Sequence, residues 1–117
     1  MRAACYAGDR TLNFVEREPL APAEGEVAID VAYTGICGTD LHILHGAMDK
    51  RVTMPAVLGH EMAGTVSALG AGVESLVVGE HVTVMPLGNC GDCPACRSGN
   101  THISGFGFGF DHDLADA

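Results

Sequence analysis

The sequence predicts a mainly β fold, either a β-barrel or a sandwich of short strands. In several segments apolar and polar residues alternate with the two-residue period of a strand, and glycine-rich turns separate these segments. The 16 glycines among 117 residues favour many tight turns. Evidence for helices in the sequence is weak. No strand pattern leads into Gly-x-Gly-x-x-Gly and a helix, so a dinucleotide-binding βαβ unit is not predicted.

The firmest strand lies in residues 26–34. Large side chains alternate there with polar or small ones, which predicts one buried face formed by Val27, Ile29, Val31 and Tyr33. Residues 2–6 and 12–16 predict a leading hairpin, because short apolar runs flank a polar, glycine-containing turn. Further strands are predicted at residues 62–69 and 80–85, with a Gly70-Ala71-Gly72 turn after the first of them.

One short helix is predicted between these strands. Thr39 or Asp40 would cap it, it would run through Leu44, and His42 would lie just past its start. Nothing in the sequence supports a longer helix.

Length and charge restrict the function classes. A chain of 117 residues provides one domain, which would bury roughly 60 to 70% of its unfolded surface. The net charge of −9, with only six Lys and Arg, argues against nucleic acid as a partner. No apolar run reaches the length of about 18 residues that a membrane span needs, and the start is too polar for a signal peptide. We therefore expect no membrane association and a cytoplasmic location.

Three of the five cysteines fall within seven residues. Cys90, Cys93 and Cys96 form two overlapping Cys-x-x-Cys pairs on a loop of glycine and proline, and three thiolates there can converge on one ion. A redox function is the competing interpretation, but it would require a thioredoxin-like βαβ setting that this segment lacks. The spacing favours a structural metal site.

Cys37 and His60 are also of the ligand types that zinc prefers. They lie 23 positions apart and form no local motif. Spacing alone therefore favours a buried thiol and an ordinary loop histidine.

Three motifs resemble those of zinc-dependent medium-chain alcohol dehydrogenases. Gly59-His60-Glu61-Met62-Ala63-Gly64, followed at the family's spacing by Gly70 and Val73, resembles the full zinc signature. Residues 35–40 and 78–82 resemble the same family, and the similarity extends from near residue 1 to about His102. The resemblance implies a GroES-like, partly open β-barrel over residues 1–102 with a zinc-binding loop. Residues 103–117 would form an atypical tail rich in glycine, phenylalanine and acidic residues.

The resemblance also implies roles for individual residues. Cys37 and His60 would hold a catalytic zinc, and Glu61 would lie close enough to bind it, although an ordinary strand-edge carboxylate is an equal alternative. Thr39 and His42 would form a proton relay, and Asp40 would accept a hydrogen bond from the His60 imidazole. Without the resemblance, His42 would be a surface histidine and Asp40 a helix cap.

The sequence departs from the family at both metal sites. The family closes its cysteine loop with a fourth cysteine where this chain has Ser104, so the cysteine site is one thiolate short unless His102 or His112 completes it. The family's third protein ligand to the catalytic zinc lies beyond the stretch that is present, so that site is short of a ligand too.

The resemblance implies the catalytic portion of an NAD- or NADP-dependent enzyme that interconverts small alcohols and carbonyl compounds. Because the nucleotide-binding half has no counterpart here, we expect no turnover by this chain alone and a truncated, frameshifted or spliced reading frame. A stand-alone metal-binding or assembly module is the alternative, and a zinc-free quinone-type reductase ranks last. Exposed apolar surface, together with Phe106, Phe108 and Phe110, predicts a homo-oligomer.

Overall fold

The computed structural model describes residues 1–103, which divide between two compact units, Met1–Val84 and a second unit that begins at Met85. Six strands and two α-helices are present, followed by a 3₁₀ turn at Thr101–Ile103. The elements are β1 Arg2–Tyr6, β2 Leu12–Glu16, β3 Val27–Gly35, α1 Gly38–Leu44, β4 Ala56–Val57, β5 Glu61–Leu69, β6 His81–Thr83 and α2 Pro94–Arg97.

The first sheet has the strand order β2-β1-β4, and all of its pairs are antiparallel. The predicted leading hairpin is confirmed, with Arg2 opposite Glu16 and Tyr6 opposite Leu12. Tyr6, in the central strand, is fully buried, and its hydroxyl donates a 2.7 Å hydrogen bond to Oδ1 of Asp49. This hydrogen bond, with burial as the second cause, raises the pKa of Tyr6 above its usual 10.0.

The second sheet has the order β3-β5-β6, again antiparallel. Its central strand β5 carries Val66, which is 1% exposed. Gly64 in β5 lies against the backbone of β3, because a Cβ atom there would clash with the Asp30 carbonyl oxygen. The strands predicted at residues 26–34 and 62–69 are confirmed, whereas the last strand spans only His81–Thr83 of the predicted 80–85.

The predicted mainly β class is confirmed, and no ladder among residues 1–103 closes the two sheets into a barrel. The predicted buried face of β3 is wrong beyond Ile29, because Val31 is 50% and Tyr33 81% exposed. The ladder with β5 has two register shifts, between Ala28 and Ile29 and between Val31 and Tyr33, so residues spaced two apart do not stay on one continuous face.

The predicted capping of α1 is also wrong. Cys37, with extended backbone angles, is the N-cap residue, and Asp40 is the third residue of the helix. A carboxylate at that position can reach back to the N-cap amide, and Oδ2 of Asp40 accepts the Cys37 N–H at 2.9 Å. His42 lies in the last turn rather than just past the start.

The second unit contains the short helix α2, which was not predicted. Pro94 occupies its first turn, where the missing proline N–H costs no helix hydrogen bond. Within residues 1–103 no helix has both the length and the apolar character needed to cross a membrane.

Candidate metal centres

The first candidate centre brings together residues from the ends of β3 and β5. Gly35 at the end of β3 pairs with Glu61 at the start of β5. Cys37 follows two positions after Gly35, and His60 precedes Glu61, so the ladder closes the 23-residue gap in the sequence. The ligand atoms of Cys37, His60 and Glu61 all lie within 4.8 Å of one another. The spacing did not predict this convergence, whereas the resemblance did.

Two glycines of the resembled motifs, Gly35 and Gly59, shape this centre, a role that the sequence did not predict. Gly59 has a φ of +107°, and a Cβ atom there would lie 2.7 Å from Cγ2 of Thr34. At Gly35 a Cβ atom would lie 2.9 Å from Oε2 of Glu61, so the carboxylate folds over the space that this glycine leaves. Their positions flanking the candidate ligands were the available signal.

Asp40 supports the centre through both carboxylate oxygens. While Oδ2 accepts the Cys37 N–H, Oδ1 lies 3.7 Å from Nδ1 of His60. This second distance is longer than a hydrogen bond. The side chains of His60 and Asp40 are 19% and 12% exposed, so the contact is largely shielded from water. One carboxylate therefore restrains both a candidate thiolate ligand and a candidate imidazole ligand.

Both residues that the resemblance assigns to a proton relay lie on α1, the helix that follows Cys37. Oγ1 of Thr39 is 3.8 Å from Sγ of Cys37, and Thr39 is half-buried. His42 is exposed and lies three residues further along the same helix, close to the same face. The arrangement sets a hydroxyl beside the candidate metal position and an imidazole nearer to water.

The second candidate centre is the cysteine triad, which consists of Cys90, Cys93 and Cys96. Sγ of Cys96 lies 4.0 Å from Sγ of Cys90 and 3.6 Å from Sγ of Cys93, and the Cys93 N–H points to Sγ of Cys90 at 3.3 Å. Zn–S bonds of about 2.3 Å in a tetrahedron place the sulfur atoms about 3.8 Å apart. The observed separations match that spacing, so the triad fits three positions of a tetrahedral ion.

The structure does not bring His102 into this group. His102 is exposed on the 3₁₀ turn, and the ligand group within the described part of the chain contains the three sulfur atoms without it. Ser104 and His112 lie outside the described residues, as do Phe106, Phe108 and Phe110.

Comparison with known proteins identifies the family. Residues 23–114 match the model of the alcohol dehydrogenase GroES-like domain. The chain belongs to this family. The fold of this GroES-like domain and the resemblance read from its motifs are thereby confirmed.

Two relatives illustrate the similarity in sequence. The domain is 54% identical over 103 residues to the 2-dehydro-3-deoxy-L-galactonate 5-dehydrogenase of Pseudoalteromonas atlantica, an alignment that covers 88% of this chain and 30% of the relative. It is 43% identical over 101 residues to S-(hydroxymethyl)glutathione dehydrogenase of Escherichia coli, covering 86% and 27%. The GroES-like domain thus spans less than a third of the length of these relatives.

Solved structures agree on the fold. A short chain alcohol dehydrogenase of Escherichia coli CFT073, complexed with NADH, superposes with a TM-score of 0.79 at 39% identity, covering 89% of this chain and 30% of that one. A thermostable alcohol dehydrogenase of Pyrobaculum aerophilum, bound to cobalt and zinc, also gives a TM-score of 0.79, at 36% identity and with coverage of 92% and 33%.

Proposed function

We propose that this GroES-like domain binds a catalytic zinc ion through Cys37, His60 and Glu61 and holds the reacting oxygen of an alcohol or carbonyl substrate. NAD or NADP would accept or donate the hydride in the complete enzyme. The observation that carries the proposal is the convergence of a thiolate, an imidazole and a carboxylate within 4.8 Å at the junction of β3, α1 and β5.

Cys37, His60 and Glu61 provide ligands of the types, and in the number, that a catalytic zinc ion uses. Catalytic zinc sites use three protein ligands drawn from Cys, His and Asp or Glu, and leave one position for water or substrate. Glu61 is exposed, so its carboxylate can reach the ion or withdraw from it without an unpaired charge becoming buried. When bound, the zinc ion supplies Lewis-acid polarisation of the substrate oxygen.

The neighbouring residues of this chain would handle the proton. The Thr39 hydroxyl, 3.8 Å from Sγ of Cys37, lies where it can accept the proton of an alcohol and donate its own onward. His42, exposed on the last turn of α1, would pass that proton to water. Asp40 would keep Nδ1 of His60 turned towards its own carboxylate, which orients the other ring nitrogen for the metal.

The substrate class is a further part of the proposal. A relative with 54% identity is named for a deoxy sugar acid, and it shares the segment that contains both candidate centres. We expect a hydroxyl group of a sugar acid to be the substrate. Because the chain carries a net charge of −9, cationic groups would be needed close to the first centre to bind the acid.

Metal content tests the centre directly. Protein purified without chelators and kept reduced should contain about two zinc ions, one for each group of ligands. Cobalt substitution should give thiolate-to-cobalt absorption from both groups. Cys37→Ser should remove one ion and part of that absorption, and Cys93→Ser should remove the other part. A Cys37→Ser variant with the full metal content would refute the proposed centre, and zero zinc in the parent protein would favour the non-catalytic module.

A chimera tests the reaction. Residues 1–103 would replace the matching segment of the Pseudoalteromonas relative, and oxidation of that relative's substrate would be followed through NADH or NADPH formation. We expect turnover in the chimera and its loss in the Cys37→Ser chimera. A chimera that binds zinc at Cys37 and still fails to turn over would contradict the catalytic proposal.

A further inference from the structure

The cysteine triad presents three sulfur atoms to one point. We propose that it is a binding site for three-coordinate thiophilic ions, with trivalent arsenic, supplied as arsenous acid, as an ion whose bonds the three thiolates complete, whereas zinc needs a fourth ligand. This inference concerns Cys90, Cys93 and Cys96 alone and does not depend on the function proposed for Cys37 and His60.

The triad is held in place by its own loop. The Cys93 N–H points to Sγ of Cys90, and Cys93 is the N-cap residue of α2. Cys96 is the third residue of that helix, which places its sulfur 3.6 Å from Sγ of Cys93. The sulfur atoms are therefore close before any ion binds, and little ordering of the chain would be needed.

No further thiolate is available from this part of the chain. Residues 97–117 contain no cysteine. Of the other two cysteines, Cys5 is buried in β1 and Cys37 belongs to the first centre, and both lie in the Met1–Val84 unit. Residues 85–117 therefore offer three thiolates to this site, one fewer than a zinc site of four thiolates needs.

Three thiolates satisfy trivalent arsenic completely. Arsenic(III) forms three bonds in a pyramid and carries a lone pair in the fourth direction, so it needs no fourth ligand. Zinc with three thiolates must take a weaker oxygen or nitrogen ligand in that position, and soft sulfur donors favour soft ions. The same three sulfur atoms thus complete one ion and leave the other incomplete.

The binding step balances without any oxidant. Three S–H bonds and three As–O bonds break, three As–S bonds form, and each departing hydroxide leaves as water with one thiol proton. Arsenic stays trivalent and sulfur stays at the thiol level. Cys90 is exposed and the other two cysteines are half-buried, so arsenous acid can reach the site from solvent.

Thiol counting and metal release test the proposal on the full chain, reduced with a phosphine. Arsenite should bind at one arsenic per chain, consume three titratable thiols, and give the mass of one added arsenic less three hydrogens. In the zinc-loaded protein it should release one zinc ion, measured with a chromophoric chelator. Binding that consumes fewer than three thiols, or the absence of binding, would overturn the proposal.

Matched variants locate the site. Arsenite binding should be lost in each of the variants Cys90→Ser, Cys93→Ser and Cys96→Ser. Each variant should still bind phenylarsine oxide, which needs only two thiols. Retained binding of phenylarsine oxide would show that the loop still holds the remaining pair of cysteines together. Cys5→Ser and Cys37→Ser should bind arsenite like the parent protein. Retention of arsenite by a triad variant, or its loss in Cys37→Ser, would refute the assignment. Loss of cobalt absorption from the Cys37 centre would affect only the function proposed above.

Discussion

The Asp40 carboxylate lies 3.7 Å from Nδ1 of His60 while its other oxygen accepts the Cys37 N–H. A carboxylate that orients a metal-binding imidazole commonly contributes 10- to 100-fold to metal affinity. We therefore predict that Asp40→Asn weakens cobalt binding at the first centre by about 10-fold or more. Competition against a chelator of known affinity measures this change.

Asp40→Asn also separates the two functions of Asp40. An asparagine retains an oxygen that can accept the Cys37 N–H, whereas Asp40→Ala removes both contacts and should lower thermal stability as well. If Asp40→Asn bound cobalt as tightly as the parent protein, the contact with His60 would have no part in holding the metal.

Gly35 provides a second test of the same centre, because a Cβ atom there would lie 2.9 Å from Oε2 of Glu61. Gly35→Ala should displace the carboxylate and weaken metal binding to the level of Glu61→Gln. Gly38→Ala is the matched control, since a Cβ atom at Gly38 meets nothing within 4 Å. Equal cobalt affinities for Gly35→Ala and Gly38→Ala would show that a side chain at residue 35 does not disturb Glu61. If Gly35→Ala weakened cobalt binding as much in a Glu61→Gln background as in the parent protein, its effect would not pass through Glu61.

The buried Tyr6 hydroxyl and Asp49 predict a dependence of stability on pH. The hydrogen bond raises the pKa of Tyr6, so the folded state holds the phenolic proton more tightly than the unfolded state. Its contribution to stability is fully present below the ordinary pKa of 10.0 and is lost as the pH rises from there through the raised value. Tyr6→Phe lacks this contribution at all pH values.

Urea unfolding of the parent protein and Tyr6→Phe at several pH values measures the effect. We expect a constant difference in the free energy of unfolding between pH 7 and 9, and a decline above pH 10. Comparison of the two proteins cancels the titration of the shared cysteines. If the difference in the free energy of unfolding between the two proteins grew above pH 10, the prediction that folding raises the pKa of Tyr6 would be contradicted.

Ser104 predicts the ion preference of the cysteine triad. The resembled family has a fourth cysteine there, so Ser104→Cys should convert the three-thiolate site into a four-thiolate one. Zinc affinity should rise by about 10-fold or more, and arsenite should release zinc less readily. Ser98→Cys, which also lies after Cys96 in the sequence but off the family spacing, is the control. If both variants bound zinc with the same affinity, residue 104 would have no special place as the fourth ligand position in this chain.

The sequence predicted local features better than long-range ones. Strand bounds at residues 2–6 and 12–16 followed from turn residues and alternation, and the cysteine triad from spacing within seven residues. The exposure of Val31 and Tyr33 did not follow, because alternation identifies an apolar face and cannot say whether anything covers it. The meeting of Cys37 with His60 depends on the ladder register between β3 and β5, which only the resemblance anticipated.

The exposed half of β3 predicts self-association. Val31, Tyr33 and Ile36 are 50%, 81% and 81% exposed, and they lie on or beside β3, which is an edge strand among residues 1–103. We expect light scattering to show dimers or larger species whose fraction rises with protein concentration and falls in Tyr33→Thr. Phe14→Thr is the control, since Phe14 is 74% exposed on β2 of the other sheet. A monomer at high concentration would refute the prediction, and an equal loss of association in both variants would place the contact away from β3.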